Sequence, residues 1–296
     1  MTHLALGDLE ICGLVDLDRF DLPLSMLLPD ADLAMLQPFP WLFPDALSDG
    51  MLHLKIRSWL LRLDGRVILI DTCVGDHKAR PNRPDWHRRD GSVLLHALAA
   101  QGLRPEDVDI VMCTHLHADH VGWNTKLDNG RWVPTFPNAR YVCGRAEYRH
   151  WEGDHAKGGD NHGSFADSVL PVMDAGRMDL VDEGWDLARG LTLQTAAGHS
   201  PGHMCIHADH GDGAVFAGDA IHSPVQLARP DWSSAFCSNP AQARATRRAL
   251  LEQIADTGRW LVPAHFADPG WLRITASGDG FAPVCETTNP QRRSAP

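Results

Sequence analysis

Residues 110–123 read IVMCTHLHADHVGW, and this short segment decides how the rest of the chain is interpreted. An apolar run, typical of a buried strand, gives way to His115, His117, Asp119 and His120. Imidazole and carboxylate groups are the ligands that borderline divalent metals prefer. A histidine-rich surface turn is the alternative interpretation, but four such groups directly after a predicted strand favour a metal site.

Three later segments also place a metal-type ligand near the end of a predicted strand. His199 lies in the glycine- and proline-rich turn GHSPGH, Asp219 follows the apolar run AVFAG, and His265 follows VPA. Polar side chains of this kind are poor choices at buried strand ends unless they have a partner. If the strand of residues 108–113 continues through His115 and His117, both side chains fall on one face and can reach one ion.

Composition restricts the class of protein and its partners. The chain has 296 residues, is 44% hydrophobic and 22% charged, and carries a formal charge of −11, which disfavours a nucleic-acid partner. The first ten residues contain Asp8 and Glu10 but no lysine or arginine, and no apolar run reaches the length of a membrane span. Seven cysteines without a CxxC pair suit reduced thiols. We therefore expect a cytoplasmic protein with no membrane partner.

Hydrophobic periodicity predicts two groups of strands, each followed by helices. This order favours one α/β domain of layered sheets over residues 1–286, with a disordered tail at 287–296. The basic segment (residues 77–90), rich in arginine and proline, is expected to be exposed and mobile. The predicted strands are 9–17, 52–63, 66–71, 108–113, 138–143, 191–196, 204–208, 213–217, 260–262 and 272–276, and the predicted helices are 92–100, 146–151, 165–175 and 240–256.

The proline-rich segment (residues 22–44) is apolar but contains five prolines, which forbid a long helix or a central strand. An apolar irregular segment must still bury its side chains. A lid over a pocket, an arm against a second subunit and a loop that covers the core are all compatible with this composition. The segment leads us to expect a homodimer.

The pattern His115-x-His117-x-Asp119-His120, followed by His199, Asp219 and His265, resembles that of the metallo-β-lactamase superfamily. The resemblance implies an αββα four-layer sandwich with a two-metal site at one edge of the packed sheets. It implies that one ion is held by His115, His117 and His199 and the other by Asp119, His120 and His265, with Asp219 as the bridge and Asp71 as a supporting aspartate. We expect two zinc ions, with manganese, iron or cobalt as alternatives.

Such a pair of ions, about 3.5–4 Å apart, can share a water and lower its pKa, so that the resulting hydroxide attacks a carbonyl or phosphoryl centre. Asp119 could then receive the proton and pass it to the leaving group. His222 follows Asp219 by three residues and should project into the same mouth. Similar lactonases often carry tyrosine at this position, so we assign His222 a donor role toward the substrate carbonyl. His203 is interpreted as a donor that braces its loop.

The segment GDAIHSPVQ at residues 218–226 resembles the branch that contains acyl-homoserine lactonases and methyl-parathion-type hydrolases. Trp123, Trp232, Phe236 and Phe266 are expected to line a pocket for an apolar acyl or aryl group. We therefore expect a metal-dependent hydrolase of a lactone or carboxylic ester. A phosphotriesterase is the alternative, and an iron-dependent sulfur dioxygenase or another redox member is the alternative of a different class. Metal analysis and oxygen consumption distinguish these classes.

Overall fold

The computed structural model describes residues 2–159 and 161–284, so the predicted tail lies outside the described residues. The strands in this part of the chain are β1 (His3–Leu6), β2 (Leu9–Pro23), β3 (Leu47–Ser48), β4 (Met51–Leu63), β5 (Arg66–Ile70), β6 (Ile110–Cys113), β7 (Thr125–Asp128), β8 (Arg131–Pro134), β9 (Arg140–Gly144), β10 (Met178–Val181), β11 (Asp186–Ala188), β12 (Leu191–Thr195), β13 (Met204–Ala208), β14 (Ala214–Gly218), β15 (Trp260–Pro263), β16 (Ile274–Ser277) and β17 (Gly280–Pro283). The α-helices are α1 (Leu24–Leu27), α2 (Val93–Ala99), α3 (Ala118–Val121), α4 (Arg145–Ala156), α5 (Leu170–Asp174), α6 (Val225–Ala228) and α7 (Pro240–Ile254).

Two sheets form the centre of the molecule. The first has the strand order β1-β2-β4-β5-β6-β9-β10, with β3 beside β4, and the second has the order β11-β12-β13-β14-β15. The hairpins β7–β8 and β16–β17 stand apart from both sheets. The strands predicted at 52–63 and 204–208 agree closely with β4 and β13, whereas β1, β3, β7, β8, β10, β11 and β17 were not predicted.

The central strands are apolar throughout because both of their faces are covered. In β6, Ile110 and Met112 belong to the core between the sheets, while Val111 and Cys113 belong to the core on the outer face. Side chains alternate across a strand, so a continuous apolar run is required where two layers pack on one sheet. The same alternation occurs in β14, where Phe216 faces the first sheet and Val215 faces away from it.

Helices cover the two outer faces. Leu94 and Leu98 of α2 and Tyr148 of α4 pack on the outer face of the first sheet, and Leu251 and Ile254 of α7 pack on that of the second. The order is therefore helix, sheet, sheet, helix. This confirms the expected αββα sandwich.

Parallel pairing brings several loops to one edge of the sandwich. Strand β5 pairs in parallel with β6, and β14 pairs in parallel with β15. Parallel neighbours end on the same side of a sheet, so Asp71 lies beside the loop after β6, and the segments that carry Asp219 and His265 follow adjacent strands. Strand β6 ends at Cys113, however, so it does not continue through His115 and His117, and the loop after it carries both side chains.

The proline-rich segment folds as α1 and two short 3₁₀ turns, Leu33–Leu36 and Pro40–Leu42. Its buried leucines share an apolar cluster with Val225, Ala228 and Trp232 from the region of α6. Residues 22–44 therefore cover the apolar side chains of the connection between β14 and β15. Whether the segment also moves as a lid, or contacts a second subunit, stays a prediction.

The basic segment is exposed at most of its positions, as expected, but three of its side chains are anchored in the interior. Lys78, Arg80 and Trp86 are buried. The guanidinium of Arg80 donates two hydrogen bonds to the carboxylate of Asp167, at 2.6 and 2.9 Å. Buried charge of this kind requires a partner. The partner lies on a π-helical turn, Phe165–Val169, which is distant along the chain, so the sequence pattern gave no sign of the contact.

In the described part of the chain, no helix combines the length and the apolar character that a membrane crossing requires. The cysteines in this part are free thiols, and all but Cys237 are buried.

Candidate metal centre

Three imidazoles from two loops converge at the edge of the sandwich and form the first donor group. His115 and His117 lie in the loop between β6 and α3, and His199 lies in the loop between β12 and β13. Nε2 of His199 is 3.2 Å from Nε2 of His115 and 2.9 Å from Nδ1 of His117. Tetrahedral zinc with bonds of about 2.0–2.1 Å holds its nitrogen ligands about 3.3 Å apart. The group therefore has the dimensions of a metal site.

The second donor group consists of Asp119, His120 and His265, whose ligand atoms lie within 4.8 Å of one another. Asp119 and His120 are carried by α3, and His265 follows β15. Nε2 of His265 is 3.7 Å from Oδ2 of Asp119, and Nε2 of His120 is 3.9 Å from the same oxygen. An ion between these three atoms would have mixed nitrogen and oxygen ligands, which zinc accepts.

Asp219 lies between the two donor groups. Its Oδ1 is 3.0 Å from Nε2 of His265 and 3.4 Å from Nε2 of His120, while its Oδ2 is 3.4 Å from Nε2 of His199. Each oxygen therefore faces a different group. Oδ1 of Asp219 and Nε2 of His120 are buried and make no hydrogen bond to the described residues, although buried polar atoms rarely lack a partner. These orphaned atoms fit a pair of metal ions bridged by one carboxylate.

The opposite ring nitrogens are held by the surrounding protein. Nδ1 of His120 is 2.8 Å from Oδ2 of Asp71, and Nδ1 of His265 is 2.9 Å from the carbonyl oxygen of Lys55. Partners of this kind fix the tautomer and the orientation of a metal-binding imidazole. Asp71 also accepts a hydrogen bond from the backbone N–H of Thr114, so it holds the start of the loop that carries His115.

Burial and neighbouring charges lower the pKa of some imidazoles of the centre and raise the pKa of others. Burial, the largest effect, holds the pKa of His115 and His199 well below the ordinary value for imidazole, so both rings keep a free lone pair. Burial also acts to lower the pKa of His120 and His265, but the carboxylate of Asp219 helps to outweigh it and both pKa values are raised. The second group thus attracts a positive charge, which a metal ion supplies.

Asp219 is held as an anion by the imidazoles around it. Burial alone would raise the pKa of its carboxyl group, but His265, His120 and His222 outweigh burial and bring this pKa well below its usual range. A buried carboxylate that stays charged at the junction of two nitrogen-rich groups is suited to bridge two cations.

Glu147 is a site residue that the sequence analysis missed. Its buried carboxylate accepts hydrogen bonds from the backbone N–H of Leu116, at 3.0 Å, and of Gly202, at 2.9 Å, and from the hydroxyl of Ser200, at 2.7 Å. It therefore ties the loop of His115 and His117 to the loop of His199. A glutamate within an ordinary helix gives no sequence signal for this role.

A cavity of about 240 Å³ opens over the two donor groups. Its floor includes His117, His199, Asp119, Asp219 and His265. Its remaining walls are mostly apolar or aromatic, with contributions from Phe20, Leu22, Leu27, Leu54, Arg83, Trp86, Ala118, Trp151, Asn161, His162, His222 and Phe236. Apolar walls around a few convergent polar groups are typical of small-molecule sites.

The family model described as the metallo-β-lactamase superfamily matches residues 54–265, more than half of the chain. This chain belongs to the metallo-β-lactamase superfamily. The match contains every ligand position of the two donor groups, and it confirms the resemblance drawn from the sequence motifs.

Relatives of this superfamily member include metal-dependent hydrolases. An N-acyl homoserine lactonase from Bacillus cereus is 24% identical over 169 residues, which are 53% of this chain and 59% of the relative. A hydroxyacylglutathione hydrolase from Aeromonas salmonicida (strain A449) is 28% identical over 166 residues, which are 56% of this chain and 46% of the relative. This chain therefore spans about half the length of these relatives.

The fold is also similar to that of a solved structure, AidC, which is described as a dizinc quorum-quenching lactonase in complex with the product N-hexanoyl-L-homoserine. The two structures align with a TM-score of 0.79 and 23% sequence identity, over 95% of this chain and 96% of AidC. At this identity the likeness shows a shared fold across nearly the whole chain.

The superfamily ligand pattern is brought together completely: His115, His117, Asp119, His120, His199, Asp219 and His265 all lie around one centre. That they bind two ions stays a prediction. His203 braces the site as an acceptor, not as the predicted donor, because its Nε2 accepts a hydrogen bond from the backbone N–H of Asp219 at 3.0 Å. His222 lies where the sequence suggested, with its Nε2 3.3 Å from Oδ2 of Asp219.

The predicted pocket residues need correction. Phe236 lines the cavity, but Trp123, Trp232 and Phe266 do not. Trp123 packs in the core outside the first sheet, Trp232 packs against the proline-rich segment, and Phe266 packs beneath α7. The walls are formed instead by residues such as Trp86 and Trp151, because the direction in which an aromatic side chain points depends on how its segment packs in the folded protein.

Proposed function

We propose that this protein is a dinuclear metal-dependent hydrolase that opens the ring of an N-acyl homoserine lactone or cleaves a closely related carboxylic ester. The observation that carries the proposal is the position of Asp219 between two complete donor groups at the floor of an apolar cavity. The N-acyl homoserine lactonase relative supports this substrate class.

The residues present fit two divalent ions, with zinc as the expected metal. His115, His117 and His199 would hold one ion, Asp119, His120 and His265 would hold the other, and Asp219 would bridge them. Bound metal of this kind supplies Lewis acidity and an activated water for attack on a carbonyl carbon.

Asp119 is the residue proposed to move the proton. Its side chain is 16% exposed and lines the cavity, so one carboxylate oxygen can face the substrate. It would accept the proton of the attacking water and return it to the ring oxygen when the ester bond breaks. The products are then a carboxylate and an alcohol on one molecule, because the ring has opened.

His222 is proposed to hold an oxygen of the substrate. Both of its ring nitrogens are buried without a hydrogen bond to the described residues, and the ring lines the cavity. Its backbone N–H donates to Oε1 of Gln226 at 2.8 Å, which fixes the turn that carries the ring. An imidazole N–H fixed in this way can donate to the carbonyl oxygen as negative charge develops on it.

The apolar part of the cavity wall is proposed to bind the acyl chain. The apolar side chains of Phe20, Leu22, Leu27 and Leu54 line the same cavity as the donor groups. Burial of an alkyl chain on such a surface contributes roughly 25 cal/mol per Å² of apolar area. A substrate with a longer acyl chain should therefore bind more tightly until the cavity is filled.

A substrate panel with a count of bound metal tests the proposal. Purified protein loaded with zinc or manganese should bind two ions per chain and release acid from N-acyl homoserine lactones faster than from aryl esters or phosphotriesters. His117→Ala should lose most of this activity, whereas His150→Ala, at an exposed position of α4, should keep it. A single iron with oxygen consumption, or a clear preference for phosphotriesters, would overturn the proposal.

A further inference from the structure

The basic segment contributes Arg83 and Trp86 to the cavity wall, and hydrogen bonds anchor it to the rest of the protein. Nζ of Lys78 donates to Oγ1 of Thr125 at 2.6 Å, and Arg80 makes the paired hydrogen bonds to Asp167 described above. The backbone N–H of Arg80 donates to Nδ1 of His87 at 3.0 Å. These contacts fix both sides of the turn that lies between Arg80 and His87.

Arg83 stands at the centre of that turn. Its backbone N–H donates to the carbonyl oxygen of Arg80, and its own carbonyl oxygen accepts from the N–H of Trp86, both at 2.9 Å. The guanidinium carbon lies 5.2 Å from the ring centre of Trp86 and 5.4 Å from that of Phe236. All three side chains line the cavity. Two aromatic rings from separate loops therefore hold a cation at the cavity wall.

The charge of Arg83 has no anionic partner within the described residues, where its side chain makes ring contacts but neither a hydrogen bond nor an ion pair. The carboxylates among the described cavity residues, Asp119 and Asp219, belong to the candidate metal centre. A guanidinium has five N–H donors and no acceptor. Arg80, three residues earlier, shows the contrast, because Asp167 satisfies its charge.

We propose that Arg83 is a specificity-determining residue that binds a carboxylate at the far end of the substrate's acyl chain. The inference rests on the proposed function, since it takes the ester bond to lie at the donor groups. A planar guanidinium recognises a carboxylate through two parallel hydrogen bonds, which are stronger than those to a neutral group. The preferred substrate is thus a lactone whose apolar chain ends in a carboxylate.

Two matched series of substrates test this assignment. One series consists of N-acyl homoserine lactones with chains of four to ten carbons, and the other carries a terminal carboxylate in place of each terminal methyl group. At the chain length that reaches Arg83, the carboxylate should lower KM by about tenfold or more. Arg83→Gln should abolish the preference and Arg83→Lys should keep part of it. Arg88→Gln, at an exposed position of the same segment, should leave it intact.

A second measurement separates this inference from the proposed function. Cyclopentylamides of the same acyl chains contain no ester bond, and their binding can be followed through the fluorescence of Trp86 and Trp151 in the cavity wall. Tighter binding of the carboxylate series that disappears in Arg83→Gln supports the role of Arg83 even if no lactone is hydrolysed. Lactone hydrolysis without a carboxylate preference at any length, or a preference that persists in Arg83→Gln, overturns it.

Discussion

At the scale of single residues, the candidate metal centre depends on side chains that do not face the ions. One carboxylate oxygen of Asp71 lies within hydrogen-bond distance of Nδ1 of His120, and the other accepts a hydrogen bond from the backbone N–H of Thr114. It also adopts a positive φ of 58°, a conformation that aspartate and asparagine tolerate better than most residues. The residue therefore fixes a ligand orientation as well as a turn of the chain.

Asp71→Asn is expected to weaken zinc binding at the second donor group by about 10–100-fold, while the fold is kept. Asparagine preserves the backbone conformation and one acceptor, but it removes the charge that holds the His120 ring. Zinc affinity is measured by competition with a chromophoric chelator. Asp179→Asn, on an exposed ion pair with Arg140, is the matched control and should bind zinc normally. An unchanged affinity in Asp71→Asn would show that His120 needs no partner.

The buried amine of Lys78 should make the stability of the protein depend on pH. Burial, the largest effect, lowers its pKa from 10.5 to about 7. Between these values the unfolded chain binds more protons than the folded one, so this group makes the free energy of unfolding rise with pH across that window. Below pH 7 the cost of the buried charge is fully present.

Lys78→Met should therefore make the free energy of unfolding less dependent on pH between about 7 and 10.5, by an amount on the order of a few kcal/mol. Urea unfolding at several pH values, with metal held constant, measures the change. Lys126→Met, on the neighbouring strand β7, is the control and should follow the wild type. The depressed pKa is refuted if both variants and the wild type show the same pH slope.

At the scale of elements, α4 holds together the two loops that supply the first donor group. Glu147 accepts hydrogen bonds from both loops, and the backbone of Gly202 packs directly on this helix. A Cβ atom on Gly202 would lie 2.0 Å from the backbone nitrogen of Glu147. Contact this close leaves no room for any side chain, so a glycine is required.

Gly202→Ala should displace the loop of His199 from α4, lower the stability by roughly 1–3 kcal/mol and weaken the binding of one zinc ion. Thermal unfolding and the zinc count measure the two effects. Gly153→Ala, within α4, is the control because a Cβ atom at that position would have no neighbour within 4 Å. It should stabilise the protein by about 0.5–1 kcal/mol through helix propensity. If Gly202→Ala behaves in the same way, the loop is not held by close packing.

At the scale of the whole molecule, the side chains of the candidate metal centre come from both halves of the sandwich. The first sheet carries His115, His117, Asp119 and His120, and the second sheet carries His199, Asp219 and His265 in its loops. Metal ions held by both sets would therefore link the two sheets. Ligands that bind only the folded state raise its stability by mass action.

Removal of metal by a chelator should lower the Tm by on the order of 10 °C, because the site exists only when both halves are folded together. Calorimetry with and without excess zinc measures the difference. His117→Ala should show a smaller dependence on zinc, since its first donor group is incomplete. Equal Tm values for the metal-free and zinc-loaded wild type would contradict a metal link between the sheets.

The ligands of the candidate centre, the strands that precede them and the four-layer fold were predictable from the sequence. The reason is that these features depend on residue type and local order: imidazoles and carboxylates bind metals wherever they converge, and strands with apolar residues throughout need layers on both faces. The match over residues 54–265 confirms the family and the fold, whereas the binding of metal by these side chains stays a prediction.

Only the tertiary structure decided which side chains surround that centre. Trp123 and Trp86 are equally aromatic in the sequence, yet Trp123 packs into the core while Trp86 lines the cavity. Glu147 and Arg83 lack a local sequence signal, because their roles depend on loops that are distant along the chain. Contacts between distant segments follow from packing, which no short stretch such as residues 110–123 encodes by itself.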